Sequence, residues 1–580
     1  MSRWCAVLGP GDPGERIRAM SGEPVVTTGR YGLGTVAGPG ARAELFRAAS
    51  ATRGVDLVAI GDVTLFNADR LRARLGAAAP ASEVSHGELL LHCYARFGLD
   101  GIAAADGMFA LAIADGGELL LVRDHVGART LFHARSGGGW GAATSLRALI
   151  RWPELRTGLN LPAVQSFLSF AYLPGRETLL RDVYEVLPGR CVRLRADGSS
   201  VEESYWEPEE IAADGPAGGF AAGLRELLED ATARRLPAGE PVGVLLSGGI
   251  DSSLVTALAA ERHDHPVRTY SISFGDSTPN ELAYSGLVAA HCHTRHRVLT
   301  VPGEAVAARL AETMGLLDCP VGDPLTVPNL MLAEAVAADG ARVVLNGEGG
   351  DPVFGGPKNL PMLIFELSRD DPDPRARAQA YLDSYRKCHA DLPVLLSPEV
   401  RAALADTPSP AEHFTPYLWP GRMHGLLNQL LHANLRTKGA HHILGKVERI
   451  TTAAGVQGRS PLFDRAVIDY SFRIPPRYKL SGASEKWILK QAVRDLLPAT
   501  IVDRPKSGMR VPVQQWLAGP LRDLGHDLLL GQAARDRGLF REDTIRGWLH
   551  GRGALLPRQG GKLWLVLSLE LWLRSFEVGP

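Results

Sequence analysis

Residues 242–253, VGVLLSGGIDSS, run from a short apolar stretch straight into Ser247, Gly248, Gly249, Asp251 and Ser252. Adjacent glycines let the backbone turn its N–H groups toward one point, and a helix starting there adds partial positive charge, so the segment is suited to holding an anion. The Ser247 and Ser252 hydroxyls can complete such a cradle, and Asp251 can hold a metal ion against phosphate charge. The other use of this pattern is a plain strand-to-helix turn with Asp251 or Ser252 as N-cap. The chain contains no GxxxxGK[ST], the loop that leaves a γ-phosphate for transfer. A second glycine-rich segment, LNGEGGDPVFGG at 345–356, sets Glu348 between two glycines. A carboxylate there has little packing value, and its plain use is as a solvated loop acid.

Both segments sit in a region whose pattern dictates how they are held. From 220 onward, short apolar runs (PVGVLL, VRTYSISF, ARVVLN) are separated by long helical stretches. That alternation predicts a doubly wound parallel sheet, which binds ligands beyond the carboxyl ends of its strands. Earlier, the runs at 55–63, 107–115, 118–124 and 130–135 are short, apolar and bounded by Gly or Asp, which predicts a β-sandwich layer. A helix over 85–98 carries Leu89, Leu90, Cys93 and Phe97 on one face. RCVRLRADGSSVEESYW reads as a strand pair about an Asp-Gly turn. The mixed EPEEIAADGPAGG is the expected linker, giving a first domain over 1–206, a linker over 207–219 and a second domain over 220–580.

Composition narrows the function classes. With 45% hydrophobic and 22% charged residues, the chain is ordinary globular protein. A net charge of −1 gives no general electrostatic grip on nucleic acid or an anionic membrane. No apolar run reaches the roughly 20 residues of a membrane span, and the run KLWLVLSLELWLRSF at 562–576 is broken by Ser568, Glu570 and Arg574, so it reads as a core helix. Six scattered cysteines without CxxC spacing argue against disulfide or zinc frameworks and fit a cytoplasmic location.

SGGIDS resembles the pyrophosphate loop of the ATP-pyrophosphatase enzymes, which cut ATP to AMP and pyrophosphate. LNGEGGDPVFGG is similar to the SGEGGDELFGG segment of asparagine synthetases, and residues 460–517 look like their C-terminal signature. DGMFALAI, RDHVGARTLF and LPGR follow in the family's order in the first half. The chain is identified as a member of the class-B asparagine synthetase superfamily. The resemblance implies an Ntn-hydrolase-like, glutaminase-type sandwich domain followed by an α/β ATP-pyrophosphatase domain, using ATP and Mg2+. It implies that Ser247, Gly248, Gly249, Asp251 and Ser252 bind pyrophosphate, that Leu246, Ile272, Asn346 and Gly347 line adenine and ribose, and that Asp251 and Asp351 hold magnesium. Lys486 in EKW and Lys506 in DRPKSG stand where the family places catalytic lysines, and Glu348 where it places the acceptor of the amine's proton.

The first half departs from its family. A working glutaminase begins with a cysteine whose own α-amine is the base for its thiol. Here Cys5 is preceded by Met1 to Trp4. No RGPD-like segment occurs, NGE of the family's NGEIYN is Ile60-Gly61-Asp62, and the acid of its GSD segment is His86. These changes predict loss of glutamine hydrolysis, as in β-lactam synthetases and lasso-peptide cyclases. Gln457 in VQGRSPLFD replaces a family glutamate, which suggests a different acceptor pocket. The expected protein is an AMP-forming carbon–nitrogen ligase acting on carboxylate and amine substrates, small molecules or peptide, in specialised biosynthesis, with a homodimer allowed. Its rivals are a glutamine-hydrolysing asparagine synthetase with a processed N-terminus, a lasso cyclase or β-lactam synthetase, and a non-catalytic nucleotide-binding relative.

Overall fold

The computed structural model describes residues 4–578 except 21, 29, 37–42, 51–54, 81–82, 212, 276–277, 357–372, 420, 483, 506–507 and 553–559. The chain forms two compact units, residues 1–158 with 175–207, and 159–174 with 208–580. Helix Leu161–Phe170 therefore belongs to the second unit although it precedes the last strands of the first. Phe170 and Tyr172 pack there among Tyr381, Tyr385 and Phe414. Helix Ala217–Ala233 takes up the end of the expected linker.

The first unit contains two six-stranded sheets, antiparallel throughout. Period-two alternation sorts their side chains. Val58, Ile60, Ala110 and Ala112 join Trp4, Ala6 and Leu8 in one core. Their neighbours Leu57, Ala59, Leu111 and Ile113 pack instead with Leu89, Leu90 and Cys93 of helix His86–Phe97. That helix opens with an N-cap, in which the Ser85 hydroxyl accepts from the Glu88 N–H at 3.2 Å. Strand Trp4–Leu8 lies inside its sheet, with Cys5 opposite Gly34 on one side and Ala143 on the other.

In the second unit, strands Val242–Leu245, Arg268–Ser273, Arg295–Thr300, Val343–Leu345 and Gln457–Arg459 form one sheet, parallel throughout. Val242–Leu245 is central, flanked by Arg268–Ser273 and Val343–Leu345. The chain proceeds first to one side of the central strand and then to the other, so the connections leaving Val242–Leu245 and Val343–Leu345 run in opposite directions, which makes a switch point between these two strands. Helix Gly560–Ser575 is core: Trp564 and Trp572 are fully buried, and buried Glu570 pairs with Arg537 at 2.5 Å and Arg574 at 2.7 Å. Among the described residues no helix is long and apolar enough to cross a membrane. All six cysteines are free thiols.

Trp4 is fully buried between the sheets, and its indole N–H donates to the Ala110 carbonyl at 3.1 Å. Trp4→Ala should therefore destabilise the first unit by about 3–5 kcal/mol, measured as a lower denaturant midpoint for that unit's transition.

Candidate active site

The strand Val242–Leu245 delivers the chain into Leu246–Gly249, and the helix Ile250–Arg262 follows with Gly249 as its N-cap. Neither Asp251 nor Ser252 caps the helix; Ser252 instead braces the loop. Its hydroxyl accepts from the Ser247 N–H at 3.1 Å, lies 3.0 Å from the Ser247 hydroxyl and donates to the Gly249 carbonyl at 3.2 Å. Gly248 has φ +79°, and a Cβ there would come within 2.7 Å of the Ser285 nitrogen. Conformation and space both demand glycine.

The second loop follows Val343–Leu345 and lies against the first. A Cβ on Gly347 would stand 2.4 Å from the Ser252 nitrogen, and one on Gly350 2.1 Å from an Asp251 carboxylate oxygen. The glycines of the two motifs thus permit one contact. Asn346 fastens the second loop: its side-chain oxygen accepts from the Glu348 N–H at 3.1 Å and the Ser460 hydroxyl at 2.7 Å.

Lys486 completes the junction. Its ammonium is 2.5 Å from Asp251 Oδ2 and 2.6 Å from Asp351 Oδ1, and the side chain is 1% exposed. Lys486 adopts φ +53°, a strained conformation for a lysine, just before the helix Trp487–Ala492.

These groups border a cavity of about 380 Å³ lined by Leu246, Ser247, Gly249, Asp251, Ser252, Ile272, Asn346, Gly347, Glu348 and Lys486. Gly248 and Asp351 belong to the two glycine-rich segments but are not themselves lining residues. Lys506 lies outside the described residues. Gln457, expected at an acceptor pocket, is not a lining residue either: it is buried on the last strand, and its side-chain oxygen accepts from Arg459 Nε at 2.8 Å.

The cavity holds further charges that the motifs did not reveal: Glu281, Asp323, Lys446, Lys490 and Arg504. Lys490 lies in the helix that Lys486 precedes, four residues after it, and Arg504 is two residues before Lys506, so each stood close to a residue the sequence had marked. Asp323 and Lys446 did not. The Lys446 ammonium is 2.5 Å from Asp323 Oδ2. Burial pushes Asp323 toward neutrality, but Lys446 and His442 overrule it and hold the carboxyl below its usual range. Burial likewise opposes the charge on Lys446, yet the Asp323 and Glu348 carboxylates hold its ammonium above the usual lysine range. Burial depresses Lys490.

In the first unit, Cys5 is fully buried and burial pushes its thiol up to about 12. Asp62 is buried and paired with Arg129 at 3.1 Å, and the His86 ring accepts the Leu65 N–H at 3.1 Å.

Residues 223–574 match the asparagine synthase family, and residues 49–206 match the glutamine amidotransferase domain. The first match spans more than half of the chain, and the chain belongs to the asparagine synthase family. It is 29% identical, over 88% of this chain and 82% of the relative, to a Mycobacterium bovis protein that bears the name of a glutamine-hydrolyzing asparagine synthetase. Similarity extends to asparagine synthetase [glutamine-hydrolyzing] 1 of Bacillus subtilis, 23% identical over 84% of this chain and 80% of that one. It also reaches carboxyethyl-arginine beta-lactam-synthase of Streptomyces clavuligerus, 27% identical over 77% and 72%. The protein is an ATP-dependent ligase that forms amide carbon–nitrogen bonds.

Two expectations follow from this geometry. Gly350→Ala drives a methyl group into the Asp251 carboxylate, and the loop shift that relieves it should weaken ATP binding about tenfold or more by titration calorimetry. Because the thiolate is the reactive form and the fully buried sulfur is closed to reagent, alkylation of Cys5 should be negligible at pH 8 in the native protein and rapid only after unfolding in denaturant, followed by mass spectrometry of the Cys5 peptide.

Proposed function

We propose that the protein uses Mg-ATP to adenylate a substrate carboxylate and transfers the acyl group to an amine, releasing pyrophosphate and AMP, in a specialised biosynthetic pathway. The observation that carries this reading is the contact of the two glycine-rich loops at the sheet's switch point, with Lys486 between Asp251 and Asp351.

A carboxylate is a poor acyl donor. Its oxygen first attacks the α-phosphorus, the bond to the bridging oxygen breaks, and charge grows on the departing pyrophosphate. Ser247, Gly248, Gly249 and Ser252 cradle that pyrophosphate beside the helix N-terminus, with Lys486 and, by its place in DRPKSG, Lys506 countering the charge. Leu246, Ile272, Asn346 and Gly347 flank adenine and ribose. Asp251 and Asp351 offer hard carboxylate oxygens at one point, and two carboxylates are a usual protein share for magnesium held together with substrate phosphates. Bound there, the ion would neutralise phosphate charge. In the second step the amine nitrogen attacks the acyl carbon, Glu348 accepts the amine's proton, and AMP leaves.

We further propose that the first unit does not hydrolyse glutamine. Freeing the α-amine of Cys5 would require removal of Trp4 from the core between the sheets. Asp62 and His86, at the places where the family binds glutamine, are engaged by Arg129 and the Leu65 N–H. Its role in this reading is scaffolding.

With Mg-ATP and candidate acids, nucleotide separation should yield AMP and pyrophosphate; ADP as the main product would refute adenylation. Glu348→Gln should retain pyrophosphate–ATP exchange while amide product falls about a hundredfold or more. Equal loss of both would move Glu348 to the first step. Glutamine incubated with the protein should release no glutamate; release, with Cys5 found as the mature first residue, would favour glutamine-hydrolysing asparagine synthesis instead.

A further inference from the structure

The anion loop has an anchor in Arg504, which lines the cavity together with Glu281. Arg504 donates through Nη1 to the Gly248 carbonyl at 3.1 Å and through Nη2 to Glu281. Its guanidinium carbon stands 3.8 Å above the centre of the Tyr284 ring. The arginine is largely buried, as is Glu281, with side-chain exposures of 12% and 17%. A planar fork held at three places has little freedom, and only arginine combines two divergent donors with a flat face.

The acceptor of that hydrogen bond matters because of peptide geometry. The Gly248 carbonyl and the Gly249 N–H belong to one planar trans peptide, so they point in opposite directions. Gripping the oxygen turns the N–H the other way, where it reaches the Ser247 hydroxyl at 3.4 Å, a long and weak bond that a stronger acceptor can replace. Ser247 and Gly249 line the cavity. Gly248, at φ +79°, is free of the Cβ that would hold another residue in place, so its peptide could otherwise flip.

We propose that Arg504, braced by Glu281 and Tyr284, is a positioning residue that fixes the Gly248–Gly249 peptide with its N–H toward the phosphate site. The inference rests on reading this loop as the pyrophosphate cradle. It assigns Arg504 a role through the backbone, distinct from a charge contributed directly to the phosphates.

The test titrates the full-length protein with magnesium pyrophosphate and, separately, with adenosine, for wild type, Arg504→Ala and Arg504→Lys, with melting temperatures recorded alongside. Arg504→Ala should weaken pyrophosphate binding about tenfold or more, the size of a charge-assisted hydrogen bond, and leave adenosine binding within about twofold, since adenosine has no group for that N–H to bind. Arg504→Lys keeps the charge but cannot hold Gly248 and Glu281 together, so it should recover only a small part. Unchanged pyrophosphate affinity in Arg504→Ala would overturn the proposal. Full recovery by lysine would overturn it too, because charge alone would then suffice. Parallel loss of adenosine binding and melting temperature would reduce Arg504 to a stabilising contact and likewise reject it. A wild-type protein that binds no pyrophosphate would overturn the reading of the loop itself, and the inference with it.

Discussion

The second unit depends on a close approach of two backbones. Where the loops after Val242–Leu245 and Val343–Leu345 meet, the atoms a Cβ would touch are the Ser252 nitrogen and the Asp251 carboxylate, at 2.4 Å and 2.1 Å. No side chain fits there, and Gly347 and Gly350 are the solution. The contact puts two carboxylates, Asp251 and Asp351, within reach of one cation. Like charges so placed repel unless something positive stands between them, and the Lys486 ammonium does so. Its left-handed backbone aims it there, a strain that the surrounding contacts must hold in place.

That arrangement makes the site sensitive in a particular way. Breaking a buried ion pair by removing one partner costs about 3–5 kcal/mol, because the other charge is left without compensation. Lys486 has one such partner in Asp251 and a more exposed, better screened one in Asp351, and across the cavity the Lys446–Asp323 pair has the buried character. The charges sit on different helices and loops, so the pairs also tie elements together around the cavity. Arg504 extends the principle to the backbone, joining the Gly248 carbonyl to Glu281 at the start of the helix Leu282–His291.

The first unit obeys a different constraint. Its strand Trp4–Leu8 is flanked on both sides within a sheet, and the side chains of Trp4, Ala6 and Leu8 are core. Cys5 points the other way, and Gly22 leaves room for its sulfur: a Cβ there would come within 2.7 Å of it. A thiol so packed is a small apolar filler, and its burial suppresses the thiolate that nucleophilic chemistry needs.

Much of this was legible in the residues themselves. The strand Gly107–Asp115 coincides with the apolar run read from sequence, and helix His86–Phe97 with its Ser85 cap fell within the span its periodicity marked. Both are local: pattern and capping chemistry lie within a few residues. The glycine motifs and their carboxylates were legible for the same reason, since a loop that must approach something closely advertises it in composition. What only the tertiary structure decided involves partners far apart in the chain. Helix Leu161–Phe170 sides with the second unit because its end packs with aromatic residues some two hundred positions later. Asp323 and Lys446 face one cavity because the helices Thr326–Ala338 and Gly445–Ala453 pack together, and neither residue has a neighbour in sequence that hints at the other. Gln457 looked like part of a pocket by its place in a motif, yet a strand alternates its side chains between two faces, and the sheet turned this one inward to Arg459. Periodicity and motif spacing set the parts; which faces met was settled by packing between segments that sequence alone leaves unconnected.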